Sequence, residues 1–224
     1  NSPAHSVDEA RADLFDVNSD GLPDLVVTDP ARYRTRSGDP AVGVFFNGFT
    51  GPNAEPAGAT ATFSDAIPMP MDPGLSSVLS LSNANVVPMD IDGDGRGDLL
   101  HMPRFRTYGW WAPTRRGVDA ISPADQGWEW TYAEVALPPE ETDPRIDLGR
   151  DARHIRIVDV NNDHLIDVVR TTGTVLQTWL NLGWLPGGDG RFGRYRFVAG
   201  AYELSTAPIE SCLPQEGLPV DFEN

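Results

Sequence analysis

The stretch "MDIDGDGRGDLLHM", residues 89–102, places four aspartates within nine residues and leads directly into an apolar segment. Two other stretches share its pattern, "FDVNSDGLPDLVVT" at 15–28 and "VDVNNDHLIDVVRT" at 158–171. All three read Asp-x-Asn/Asp-x-Asp-Gly/His-x-x-Asp, and their first aspartates are 74 and 69 residues apart. A nine-residue pattern that recurs at near-constant spacing indicates an internal repeat. We name the three copies loop 1 (16–24), loop 2 (90–98) and loop 3 (159–167).

Each loop lies between two short apolar segments, which predicts a strand, the aspartate loop and a second strand. Two further strand candidates follow in every repeat. They are "AVGVFFNGF" and "ATATFSDAI", then "YGWWAP" and "WEWTYAEVAL", then "TVLQTWLNLGW" and "RYRFVAGAYEL". Helical periodicity is weak throughout the chain, so no amphipathic helix is predicted.

A four-stranded unit repeated at this spacing is typical of a β-propeller blade. The predicted fold is therefore all-β, with three four-stranded antiparallel blades in a single segment, 1–224. We expect blade 1 at about 8–70, blade 2 at about 84–138 and blade 3 at about 152–204, with 205–224 a tail or a lead-in to a further blade. Because closed propellers have four to eight blades, we expect a larger ring, completed by blades of the same or a companion chain. The chain begins without methionine and is expected to be a mature or excised piece.

The oxygen-rich side chains of the loops predict a site for a hard divalent cation, which takes six to eight oxygen ligands. Positions 1, 3, 5 and 9 would supply side-chain oxygens and position 7 a backbone carbonyl. The predicted ligands are Asp16, Asn18, Asp20, Leu22 and Asp24 in loop 1; Asp90, Asp92, Asp94, Arg96 and Asp98 in loop 2; Asp159, Asn161, Asp163, Leu165 and Asp167 in loop 3.

The three loops differ in the residue at position 6, where the predicted site needs a sharp turn. Gly21 and Gly95 adopt positive φ without strain, whereas His164 tolerates it less readily. An EF-hand also needs helical flanks and a bidentate glutamate at position 12. That position holds Val27, His101 or Arg170, so an EF-hand is excluded.

These loops, their strand flanks and the later "FFNGF" and "WLNLGW" stretches resemble the FG-GAP/VCBS repeats of integrin-α-type β-propellers. "DVNSDGLPDLV" is similar to the propeller of SpvB-like and toxin-complex B-component proteins of bacteria. The resemblance covers nearly the whole chain. It implies calcium between the first two strands of each blade, three sites in all, and a protein that is secreted or on the cell surface.

The composition of the chain argues against several classes of binding partner. The formal charge of −16 argues against nucleic acid and anionic membranes, which would repel the chain. The sequence lacks an 18-residue apolar run and is not expected to insert into a membrane. Cys212, the single cysteine, permits no internal disulfide and is expected to be inert.

Adhesion, catalysis and sugar binding are the alternatives to the metal hypothesis. Arg96-Gly97-Asp98 spells a cell-adhesion tripeptide, but adhesion needs Asp98 exposed rather than committed to a cation. Catalytic aspartates are disfavoured because active sites are rarely triplicated. The six tryptophans could stack on sugars, with "GWWAPTRRG" (109–117) the best exposed loop, although a role in the core is favoured. We therefore expect a non-enzymatic calcium-binding scaffold with a protein partner, with a glycan-binding lectin as the alternative and a hydrolase as the weaker one.

Overall fold

The computed structural model describes residues 3–49, 62–104, 107–115, 127–136, 148–149, 152–183 and 192–212. Over these residues the protein is all-β, as predicted, with fourteen strands and one short 3₁₀ helix at Pro73–Leu75. The chain divides into two compact units. The first comprises residues up to Pro88 together with Gly95–Asp98 and Trp111–Tyr132, and the second comprises Met89–Asp94, Leu99–Trp110 and the residues from Ala133 onward.

The first sheet has the antiparallel order β1-β2-β3-β4. Its strands are β1 (Ala12–Phe15), β2 (Asp24–Val27), β3 (Ala41–Phe45) and β4 (Ile67–Pro70). Every residue of β2 and β3 is buried, which explains why these strands read as continuous apolar runs rather than as alternating ones. Leu25 lies opposite Phe45, and both belong to the buried cluster of this sheet.

The fourth strand of this sheet differs from the prediction. The segment "ATATFSDAI" contributes a single bridge, Phe63 to Asn47, and the first residue of β4; its residues 59–61 lie outside the described part. The main strand is "IPMP", of which the predicted strand included only Ile67 and which contains Pro68 and Pro70. Proline has no N–H to donate, yet it is tolerated on an edge strand, and β4 stands at the end of the sheet order.

The second sheet has the order β5-β6-β7-β8. Its strands are β5 (Val86–Met89), β6 (Asp98–Arg104), β7 (Thr107–Arg115) and β8 (Trp128–Ala136). The idea that "GWWAPTRRG" is an exposed loop was wrong, because its described residues belong to β7 and both tryptophans are buried. Trp110 is 9% exposed and Trp111 0% exposed. Successive side chains of a strand point to opposite faces, so the strand is covered on both sides at this point.

The third sheet has six strands where four were expected. They are β9 (Ile155–Val158), β10 (Asp167–Thr172), β11 (Val175–Asn181), β12 (Phe192–Val198), β13 (Ala201–Ser205) and β14 (Ile209–Cys212). The order is β13-β12-β11-β10-β9, and β14 also pairs with β11. "RYRFVAGAYEL" folds as a hairpin rather than one strand because Ala199 and Gly200 form a tight turn with φ of 49° and 91°, the geometry that two-residue hairpins favour.

The strand β11 shares its outer edge between two partners. β12 pairs with it only at Leu180 and Asn181, while β14 pairs with Val175–Thr178. The end of β11 next to β12 is also the end that adjoins loop 3, since Val168 of β10 lies opposite Trp179.

Candidate metal centre

Loop 1 is organised around the carboxylate of its first residue, Asp16. Oδ1 accepts the backbone N–H of Ser19 at 2.7 Å, and Oδ2 accepts that of Gly21 at 2.7 Å. A second layer joins positions 3 and 5, because Asn18 Nδ2 donates to Asp20 Oδ2 at 3.0 Å. The N–H of Leu22, at position 7, donates to Asp20 Oδ1 at 2.8 Å. The loop is therefore pulled into a tight coil with its oxygen-bearing side chains inside it.

Loop 3 repeats this arrangement almost bond for bond. Asp159 accepts the N–H groups of Asn162 at 2.6 Å and His164 at 3.1 Å. Asn161 Nδ2 donates to Asp163 Oδ2 at 2.8 Å, and Leu165 N–H donates to Asp163 Oδ1 at 2.9 Å. The same bonds at the same positions, in two segments with different side chains at positions 4 and 6, show that the pattern determines the local fold.

Two positions of every loop have positive φ. At position 6, φ is 81° at Gly21, 84° at Gly95 and 73° at His164, so the predicted turn is confirmed, including at the histidine. Position 4 shows the same conformation, which the sequence reading missed. Its residues are Ser19 (62°), Gly93 (77°) and Asn162 (61°). Small polar side chains and glycine are the types that tolerate this region best.

The last aspartate of loops 1 and 3 fixes the loop to the sheet. Asp24, fully buried, accepts Val17 N–H at 3.0 Å and the N–H of Asn47, just beyond β3, at 2.8 Å. Asp167, also fully buried, accepts Val160 N–H at 2.9 Å and the N–H of Asn181 on β11 at 2.8 Å.

These two asparagines, whose N–H groups bind the loop aspartates, were not identified from the sequence. Each stands two residues after a buried aromatic, Phe45 or Trp179, in the "FFNGF" and "WLNLGW" stretches. The corresponding position after the buried Trp111 is Pro113. Proline has no N–H, so Pro113 cannot donate as Asn47 and Asn181 do.

Loop 2 brings three carboxylates together. Ligand atoms of Asp90, Asp92 and Asp98 all lie within 4.8 Å of one another, a grouping of acids that the search of the described residues finds in this loop alone. Asp98 is buried and Asp90 and Asp92 are half-buried. Gly93 N–H donates to Asp90 Oδ1 at 2.7 Å, as in the sibling loops. Asp94, the predicted position 5 ligand, is exposed and outside this group, although its N–H donates to Asp92 Oδ1 at 3.1 Å.

The chemistry of this donor set fits a hard divalent cation. Carboxylate and amide oxygens are the ligands that calcium and magnesium take, and neither histidine nor cysteine belongs to the group. Like charges at about 4 Å repel by roughly 4 kcal/mol at an effective dielectric of 20. Three carboxylates within 4.8 Å therefore favour a bound positive charge.

Loop 2 also contacts loop 1 directly. Gly97 N–H donates to the Asp16 carbonyl at 2.5 Å, and a Cβ on Gly97 would lie 2.4 Å from Phe15 Cδ2. A Cβ on Gly95 would lie 2.7 Å from Ser19 Oγ. The Arg-Gly-Asp tripeptide is thus packed against its neighbour, and its Asp98 is 1% exposed, which is incompatible with an exposed adhesion signal.

Burial changes the pKa of the position 9 aspartates of loops 1 and 3. Burial raises the pKa of Asp24 to about 6, against the lowering effect of the Asn47 and Val17 N–H groups and with a smaller raising effect from Asp20 and Asp16. Burial likewise raises the pKa of Asp167, with the Val160 and Asn181 N–H groups opposing it. Without a cation, these carboxylates are costly to ionise within the fold.

The comparisons add no family. Protein-family models give no match to the chain, and curated proteins give none either. Among the residues that the structure describes, no helix is long and apolar enough to cross a membrane.

Proposed function

We propose that the three loops bind calcium and that the chain is a non-enzymatic binding scaffold built from β-propeller blades. The observation that supports this most is the convergence of Asp90, Asp92 and Asp98 within one nine-residue loop. Loops 1 and 3 share the capping of position 1 and the coupling of positions 3 and 5. We therefore assign one calcium ion to each loop, with the ligands predicted from the sequence.

The propeller is the arrangement in which the same loop recurs at the same place in every sheet. The described residues form three sheets, fewer than the four to eight blades that close a propeller. We propose that further blades, from the same or a companion chain, complete the ring. We further propose a secreted or cell-surface bacterial protein, with a toxin-complex component as its most specific form, on the resemblance of the loops alone.

The tryptophans do not favour the lectin alternative. Trp110, Trp111, Trp130 and Trp179 are all buried, Trp128 is half-buried with the Arg96 guanidinium over its ring, and Trp184 lies outside the described residues. A sugar platform needs an exposed aromatic face, whereas the four buried rings are inside the sheets.

Calcium titration of protein stripped with chelator tests the proposal. We expect three bound ions per chain by calorimetry and a melting temperature that rises with calcium. A ligand at about 100 times its Kd stabilises the fold by about 2.7 kcal/mol per site. Sodium chloride at equal ionic strength is the control for charge screening, and Asp39→Asn is the control for loss of a carboxylate outside the loops. A melting temperature that is the same in calcium and in chelator would refute the proposal.

A further inference from the structure

We propose that a cleft beside β12 is a binding site for a monocarboxylate joined to an apolar group, such as the carboxyl-terminal end of a peptide. The cleft lies entirely within the second unit and has a volume of about 460 Å³. That volume is in the range of small-ligand sites, about 300–1,000 Å³. Asn161 and Asp163 of loop 3 also line the cleft, so binding is to be measured both with calcium and in chelator.

Two arginines form the cationic side of the cleft. Arg194 and Arg196 both line it, and because they are two residues apart on β12 they project from the same face of the strand. Arg194 Nε is buried and has no hydrogen-bond partner among the described residues. Its guanidinium is thus partly withdrawn from water, which strengthens an ion pair formed there.

A carboxylate is the natural complement of this pair. A guanidinium presents N–H donors in a planar fork that matches the two oxygens of a carboxylate. Since Nε is closed to solvent, the ligand would meet the terminal nitrogens of Arg194 and the exposed side chain of Arg196. Cationic concave surface is unusual in a chain with a formal charge of −16.

The remaining lining decides which anion fits. Leu180, Leu182 and Ile209 give the cleft an apolar side, which favours a ligand that carries an aliphatic group next to its charge. In the calcium-free protein, the carboxylate of Asp163, which lines the cleft, repels a dianion more strongly than a monoanion. A phosphate is therefore disfavoured relative to a carboxylate.

The matched probes are N-acetyl-Leu-Leu and its carboxamide, titrated calorimetrically into the wild-type chain at pH 7 and low salt. We expect the acid to bind and the amide to bind at least tenfold more weakly, a difference of roughly 1.4 kcal/mol. Inorganic phosphate should bind less tightly than the acid. Equal affinity for acid and amide would overturn the proposal, and this comparison needs no variant to fold.

Arginine variants then locate the site. Arg194→Gln and Arg196→Gln should each weaken binding of the acid roughly fivefold or more, in line with the loss of one charge-assisted interaction. Arg11→Gln is the control, because that guanidinium pairs with Asp29 in the first unit and its loss should leave affinity unchanged. Acid binding that survives in both β12 variants would place the carboxylate elsewhere and refute the assignment. Repeating the titration in chelator separates this result from that of the calcium proposal.

Discussion

Asn181 Nδ2 donates a 3.2 Å hydrogen bond to the backbone carbonyl of Asp90. The bond joins the last residue of β11 to the first residue of loop 2, 91 positions earlier in the chain. The same residue donates its N–H to Asp167 and accepts Gly183 N–H at 3.0 Å on its Oδ1. Asn181 is 1% exposed, so one buried residue serves two of the three predicted cation loops, loop 2 through its side-chain amide and loop 3 through its backbone N–H.

Asn181→Ala should destabilise the fold more than Asn47→Ala. Both variants keep the backbone N–H that binds the loop aspartate, but Asn181→Ala removes two buried side-chain hydrogen bonds, to the Asp90 carbonyl and the Gly183 N–H. We expect a loss of about 1–3 kcal/mol. Asn47→Ala should lower the free energy of unfolding by less, because Asn47 Nδ2 donates to the Pro23 carbonyl at a more exposed position. Urea unfolding measures both values, and equal losses would contradict the linking role of Asn181.

Gly97→Ala should destabilise the contact between loops 1 and 2. The added methyl would lie 2.4 Å from Phe15 Cδ2 and 3.1 Å from the Asp16 carbonyl, and backbone would have to move. Overpacking of this kind costs about 1–3 kcal/mol. Gly74→Ala is the matched control, since its nearest neighbour is the end of the Asp72 side chain at 3.2 Å. A Gly97 variant as stable as the Gly74 variant in thermal unfolding would show that the loops separate easily.

The part of the fold that could be predicted from the sequence is the part determined by local pattern. The loops were found because position 1, position 9 and the turn at position 6 each need a particular residue type in a fixed order. The all-β class followed from short β-branched segments between turns. These signals are contained within about ten residues, so one sequence is enough to show them.

The parts that were missed depend on contacts between distant segments. Nothing near Asn181 shows that its side-chain amide donates to the Asp90 carbonyl, and nothing near Asn47 shows that its N–H donates to Asp24. The pairing of β14 with β11 likewise joins distant segments, since Val175 lies opposite Cys212. These features are determined by contacts between segments that are far apart in the sequence, and a local pattern cannot predict them.

The buried Asp24 should make the metal-free protein less stable as pH rises from about 4 to about 6. Its folded pKa, about 6, lies above the reference value of 3.8, so in this interval the folded state holds more protons and stability falls with pH. One pKa unit corresponds to about 1.36 kcal/mol, which gives a cost on the order of 3 kcal/mol for the ionised group. Urea unfolding in chelator at several pH values should show the slope. Asp24→Asn should flatten it, and an unchanged slope would exclude Asp24 as its source.

His101 on β6 should produce the opposite dependence. Burial lowers its pKa below the reference value of 6.5, so the unfolded chain binds the proton first and stability is lost as pH falls below about 6.5. His101→Gln should remove this loss. Because Asp24 acts in an overlapping interval with the opposite sign, the informative quantity is the difference between variant and wild type at each pH. A constant difference from pH 7 to pH 5 would show that His101 does not titrate with folding.

Loop 2 offers the sharpest test of which residues bind the cation. Asp90 lies in the carboxylate cluster with Asp92 and Asp98, whereas Asp94 lies outside it. If this cluster holds the bound cation, Asp90→Asn should abolish one of the three calcium equivalents, while Asp94→Asn should retain all three with weaker affinity. The Asn variants keep shape and a carbonyl oxygen, so they change charge more than packing. Calorimetry counts the equivalents, and Asp39→Asn controls for the lost charge. If Asp94→Asn also binds one calcium ion fewer than the wild type, Asp94 must move into the loop when calcium binds. That result would support the sequence-based prediction that Asp94 is the position 5 ligand.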